Sequence, residues 1–248
     1  MMTSVQKIEA MKLTTGIFFL FFLMSMVSCA TVATESALQN ADGRHKMGVG
    51  YYSEGKVQQA FVEFQQAYEL NPQNKEVLYA IGIIYLLDFD ETAKAIDFFQ
   101  RAVKIDPDYA DAYNNLGYAH AKLGKFDAAI PFYKKAVSNL FYATPEKAYV
   151  NMGKAYYRLG RYEEAALAYK EAIKRAPNFD LAYMGLALCY NAMGKYGDAS
   201  AALSRAIALN PQYKGNAKRA AEDFLIRKLG ASNSDQKDFA DYLEILKY

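Results

Sequence analysis

Residues 110–136 read ADAYNNLGYAHAKLGKFDAAIPFYKKA. Within them Gly117 precedes Ala129 by 12 residues, Tyr133 follows Ala129 by 4, and Ala136 follows Tyr133 by 3. The set recurs along the chain. Gly48, Gly82, Gly117 and Gly153 are spaced by 34, 35 and 36 residues, and Ala187 continues the column 34 later. Ala60, Ala95, Ala129, Ala165 and Ala199 form a second column, and Phe64, Phe99, Tyr133, Tyr169 and Leu203 a third. Ala67, Ala102, Ala136, Ala172 and Ala206 form a fourth. Pro72, Pro107, Pro177 and Pro211 close four of the units. Self-similarity at a period of roughly 20–50 residues marks a repeat architecture built from one supersecondary unit.

The columns have a packing reason. Small residues let two helices cross closely, and the larger third-column side chains fill the gaps between them. Helix breakers stand where such a scheme needs them: Gly55, Gly124, Gly160 and Gly194 between paired helices, and Asn-Pro or Asp-Pro between units. A single unit cannot bury its apolar face alone, so neighbours must stack. Over residues 41–213 the pattern resembles the tetratricopeptide repeat, with Tyr113, Tyr149 and Tyr183 in place of the tryptophan common early in that repeat. The resemblance implies an all-α solenoid, a right-handed superhelix of about five helix–turn–helix repeats at 41–74, 75–109, 110–145, 146–179 and 180–213.

Two irregularities interrupt the register. Gly82 to Ala95 takes 13 residues where other units take 12, and the extra residue falls near Asp88. Ala136 to Gly153 takes 17 where other junctions take 15, through the connection SNLFYATPEK. There Thr144-Pro145-Glu146 predicts a helix start: a capping hydroxyl, a pre-set φ and an acid at the positive helix end. Pro131 is expected in the first turn of a helix starting near Asp127, where an amide is dispensable. Residues 214–248 are expected to form capping helices: Asn216 to Leu229, stopped by Gly230, and a last helix capped by Ser234 with Phe239, Tyr242, Leu243 and Leu246 on one face. A cap over the solenoid end is the favoured reading; a docking helix for a partner is the other.

The amino-terminal stretch FFLMSMVSCATVATES, residues 21–36, addresses location. The apolar run from Ile17 to Val27 is too short for a membrane-spanning helix, which needs roughly 20 residues, but fits the hydrophobic core of a secretory signal. Met11-Lys12 supplies the positive start, and translation is expected to begin at Met11. Met26-Val27-Ser28-Cys29 resembles the lipobox of bacterial lipoproteins, with Met26 where leucine is usual. The resemblance implies a signal at 1–28, a mature amino terminus acylated at Cys29, and a short tether over 29–40. Several chains hold a protein at a bilayer where one binds marginally, each buried methylene contributing about 0.8 kcal/mol. Ala30, in place of an aspartate, points to the outer membrane and its periplasmic face. The alternative is an ordinary cleaved signal with a chance cysteine.

Composition narrows the chemistry. Losing residues 1–28 moves the formal net charge from +2 to +1, which argues against nucleic acid as the main partner. With Cys29 lipidated, Cys189 has no disulfide partner. Cys189 stands in a column of small packed residues, and His120 in the column of Tyr51, Tyr85, Tyr156 and Tyr190; His45 stands alone. Two histidines without a cysteine or acid cluster make no metal site. No phosphate loop or nucleophile motif is present, and acid pairs such as Glu163-Glu164 sit at helix starts where the macrodipole favours them. The expectation is a non-enzyme with no metal, no cofactor beyond the lipid on Cys29, and no small-molecule substrate.

Binding remains. In tetratricopeptide proteins the first helix of each unit lines the concave side, which here assigns Tyr52, Tyr79, Ile83, Tyr118, Lys154, Tyr157, Met184 and Leu188 to a partner groove. Each could equally be a packing residue between units. The carboxylate clamp of some relatives fails, because its places hold His45, Val49, Asn114, Tyr118 and Lys154. The lipobox, the repeats and the connection from Leu140-Phe141-Tyr142 to Pro145-Glu146 together resemble the type IV pilus pilotin and biogenesis family of the PilF/PilW type. That resemblance implies an outer-membrane adaptor whose partner is a secretin or other envelope protein, brought to the bilayer for multimerisation. The alternative is a periplasmic scaffold or regulator of peptidoglycan enzymes.

Overall fold

A computed structural model describes residues 35–248. The expected signal at 1–28 and the acylation site Cys29 lie outside the described residues. Described residues 35–53 are helical (α1), followed by α2 (Val57–Leu70), α3 (Lys75–Leu87), α4 (Thr92–Ile105), α5 (Ala110–Lys122) and α6 (Phe126–Ser138). Then come α7 (Pro145–Arg158), α8 (Tyr162–Arg175), α9 (Asp180–Ala192), α10 (Tyr196–Leu209), α11 (Ala217–Gly230) and α12 (Asn233–Ile245). Among the described residues there is no strand. Helix already covers 35–40, so that half of the stretch expected as a tether belongs to α1. Two compact units divide the chain at Ile81/Gly82.

In the first unit, Gly48 of α1 faces Phe64 of α2. A β-carbon at Gly48 would lie 2.5 Å from the ring, and Phe64 is buried with Ala60 and Ala67. The second unit repeats this contact between the members of each pair: Gly82 against Phe99, Gly117 against Tyr133, Gly153 against Tyr169. Each ring lies on bare backbone, which only glycine permits. The alanines of the second and fourth columns from Ala95 to Ala206 are buried, as expected for close crossings. In the fifth unit the same columns hold Ala187 and Leu203, both buried in one cluster. One close approach escaped the columns: a β-carbon at Gly185 of α9 would lie 2.1 Å from Cζ of Tyr169.

The turns within pairs are alike. Gly55, Gly124, Gly160 and Gly194 have φ between 71° and 74°. The amide of Gly124 donates to the Ala121 carbonyl at 2.9 Å, and that of Lys125 to His120 at 3.0 Å. The same two bonds recur at Gly160–Arg161 and Gly194–Lys195. This is the Schellman closure, which needs a left-handed residue just past the helix. The α3–α4 turn is longer. Asp90 takes the left-handed position at φ 57°, and the Glu91 amide reaches back to Tyr85 at 2.8 Å, so the thirteenth residue is absorbed here.

Three local expectations are corrected. Pro131 falls in the second turn of α6, not the first, so the Asp127 carbonyl loses its intrahelical donor; Pro131 is exposed, and water can take that place. Thr144 is the N-cap of α7, but its hydroxyl makes no capping bond. Ser232, not Ser234, precedes α12, and its hydroxyl donates to Asp235 at 3.0 Å. Asn216 does cap α11, accepting from the Arg219 amide at 2.9 Å.

The long connection after α6 is braced. The Asn139 side chain donates to the Asp108 carbonyl at 2.7 Å and accepts from the Phe141 amide at 2.8 Å. Tyr142 tucks into a cluster with Ala110, Ala136 and Ala148. Leu140 and Phe141 are left 88% and 95% exposed at the tip.

Gly185→Ala should destabilise the protein by about 1–3 kcal/mol in chemical denaturation, because the Tyr169 ring cannot yield without disturbing its own bed. Gly197→Ala in α10, where nothing lies within 4 Å of the added methyl, should instead be neutral or stabilise by up to about 1 kcal/mol.

Candidate functional site

Among the described residues no group of three or more His, Cys, Asp or Glu could hold a metal, and no helix is long and apolar enough to cross a membrane. Cys189 is fully buried, and burial pushes its thiol up to about 12, so it is not poised as a nucleophile. His120 stacks on Phe132 with centroids 5.1 Å apart, and neither ring nitrogen finds a partner. Burial, then the Lys125 charge, holds its pKa below the usual 6.5. His45, half-buried against the Phe64 ring in the first unit, is also held down, mainly by burial.

The groove residues fare differently from one another. Tyr52 and Tyr79 are half-buried in the first unit; Ile83 is half-buried in the second. Tyr118 on α5 is 39% exposed, and Lys154 on α7 is exposed. Asn151 of α7 donates to Asn114 of α5 at 3.1 Å, tying the two helices on this face. Tyr157 and Leu188 are buried, and Met184 is half-buried. Leu188 belongs to the cluster that takes in Tyr242 and Ile245 of α12, and Met184 packs against it. The structure therefore brings Tyr118, Lys154 and Tyr157 to the face of α5 and α7, and joins Met184 and Leu188 to the core that α12 completes.

What covers part of this face is the chain's own last helix. Arg158 donates through Nη1 to Asp238 at 2.8 Å, and through Nη2 to Asp238 at 2.5 Å and Asp235 at 2.9 Å. Lys154 Nζ stands 3.6 Å from Asp235, and the Tyr157 hydroxyl donates to Asp241 at 3.5 Å. The Arg158 side chain is only 11% exposed, so the forked contact is largely shielded from water. Burial works against the Arg158 charge, but Asp238 and Asp235 outweigh it and raise its pKa. Burial pushes the Asp235 carboxyl up; Lys154, Ser232 and Arg158 together pull it below 3.8. Beside this clasp lies a cavity of about 420 Å³, lined by Tyr118, Asn151, Lys154, Arg158 and Asp235 among others.

Arg158, Asp235 and Asp238 were not anticipated as a site. The spacing of Asp235, Asp238 and Asp241 puts three acids along one side of a helix whose neighbouring face is aromatic, but nothing in it points to Arg158 as their partner.

Residues 109–216 match the family described as the C-terminal domain of cilia and flagella-associated protein 70, and residues 91–124 match the TPR repeat family. A probable UDP-N-acetylglucosamine–peptide N-acetylglucosaminyltransferase SPINDLY from Hordeum vulgare is 29% identical over 117 residues, 44% of this chain but 12% of that protein. The chain thus spans a small part of this curated relative. Among solved structures, that of pilF from Pseudomonas aeruginosa is similar with a TM-score of 0.67 at 18% identity, covering 84% of this chain and 90% of that one. PilW, described as a widely conserved type IV pilus biogenesis factor, gives 0.64 at 22% identity, with 83% and 90% covered. The fold is that of a tetratricopeptide-repeat array, as the columns implied.

Because burial and the Lys125 charge lower the His120 pKa in the folded chain while the unfolded imidazole titrates near 6.5, the unfolded state binds more protons as pH falls from about 7 to 5. Stability should therefore drop over that window, and His120→Phe should flatten the decline in a melting-temperature profile.

Proposed function

We propose that this chain is a non-catalytic adaptor of the bacterial envelope, acylated at Cys29, held at the periplasmic face of the outer membrane, and engaged in type IV pilus biogenesis through an outer-membrane secretin. The single observation that carries the binding role is the face of α5 and α7, where Tyr118 and Lys154 stand exposed beside an open cavity. An aromatic and a cation on a rigid helical wall suit an anchor residue and an acid of a partner segment. The fold likeness to PilW, a type IV pilus biogenesis factor by its description, and to pilF supports the assignment to that process.

The mechanism is tethering. The repeats hold a secretin segment, the acyl chains confine the complex to a surface, and confinement raises the effective concentration of subunits without new contacts between them. The Leu140–Phe141 tip offers a further apolar contact, with the Phe141 amide satisfied by the Asn139 side chain.

Cross-linking in envelopes followed by affinity capture is the test, with recovery of a secretin expected. Recovery of peptidoglycan hydrolases or synthases in its place would overturn the assignment and favour a regulator of wall enzymes. Tyr118→Ala should weaken capture at least about tenfold, the loss expected of a central aromatic anchor, with helical content unchanged. Cys29→Ala should release the protein into the soluble periplasmic fraction; continued sedimentation with membranes would rule out the anchor.

A further inference from the structure

The last helix is held in two dissimilar ways. From Phe239 onward it is core: Tyr242 and Ile245 are buried, and the Phe224 ring of α11 lies tilted against Phe239 and Tyr242. From Asn233 to Asp238 it buries no apolar side chain at all. That front segment is fastened to α7 by charge: Asp238 and Asp235 on Arg158, and Asp235 on Lys154. Apolar burial is specific to shape, whereas a guanidinium accepts any carboxylate pair that reaches it with the same fork. The first half of α12 is therefore exchangeable in a way the second half is not.

The space it borders is continuous with it. The 420 Å³ cavity has Tyr118, Asn151 and Lys154 on its walls, and Asp235 is one of its boundaries. A segment entering this cavity meets an aromatic face, an amide and two cations, both of which are already engaged by the front of α12. We propose that the front of α12 is a latch: the α7 face docks an acidic amphipathic segment of another protein, and Asp235 and Asp238 occupy that site in cis until carboxylates of the partner take over Arg158 and Lys154. This rests on reading the array as protein-binding. The partner's chemistry is written in the latch itself: two acids three residues apart, followed by an aromatic, as in Asp235, Asp238 and Phe239.

Two measurements on the full chain test the latch without any secretin, so their failure stands apart from failure of envelope capture. The first needs no substitution. Raising salt from about 0.05 M to about 1 M shortens the screening length several-fold. Amide hydrogen exchange over residues 233–238 should then quicken several-fold while residues 242–245 stay protected. If both halves open together, or neither responds, the latch is refuted. The second uses a fluorescein-labelled synthetic peptide of residues 231–248 as the acidic probe. Asp235→Ala with Asp238→Ala should bind it about tenfold tighter than the unaltered chain, because the cis competitor is removed. A peptide with both aspartates changed to asparagine should lose that gain. Equal binding by the two chains, or equal binding of the two peptides, would overturn the proposal.

Discussion

Every helix pair of the repeats from Gly48 to Tyr169 depends on one contact, an aromatic ring laid on the backbone of a glycine in the partner helix. The contact sets how close the two helices approach, and closeness lets the alanines of the second and fourth columns meet without gaps. Dense packing is what makes a small change costly: one added methyl has nowhere to go when the neighbouring ring is itself wedged. Gly185 shows the constraint at its most severe, because Tyr169 is pinned there by the next helix pair as well as by Gly153. The rings so held fix the spacing of α5, α7 and α9, and hence the wall on which Tyr118, Lys154 and Arg158 stand.

The parts legible in the sequence were those set by neighbours within one period. Gly124, Gly160 and Gly194 announced their turns because only a residue tolerant of positive φ closes a Schellman motif. Gly82 to Ala95, with its extra residue, located the irregular turn, although not that Asp90 would take the left-handed place. The clasp on Arg158 was not legible, since its partners lie 77 and 80 residues away in a helix outside the repeat pattern. Periodicity reports what recurs, and this contact occurs once. Tyr157 and Leu188 illustrate the same limit: their positions marked them as groove residues, but both are buried in the cluster to which α12 contributes Tyr242 and Ile245.

The clasp and the core of α12 are complementary in kind. Tyr242 and Ile245 give the helix its place, while Asp235 and Asp238 give its leading end a direction. With α12 in place the Arg158 side chain is shielded from water, so the acids also neutralise a charge that would be costly if covered without a partner. The same charges that stabilise the resting arrangement thereby define what chemistry can substitute for it.

The turns within the pairs of the second unit from α5 to α10 are sealed by main-chain bonds alone, with the glycine as their sole requirement of sequence. A joint that asks so little of its surroundings is a modular one. Duplication, loss or recombination of whole helix pairs leaves such joints intact, whereas a point change under a ring does not. Over evolutionary time the length of the array is thus freer to drift than its interior, and a lineage could gain reach by copying a pair more readily than by redesigning one.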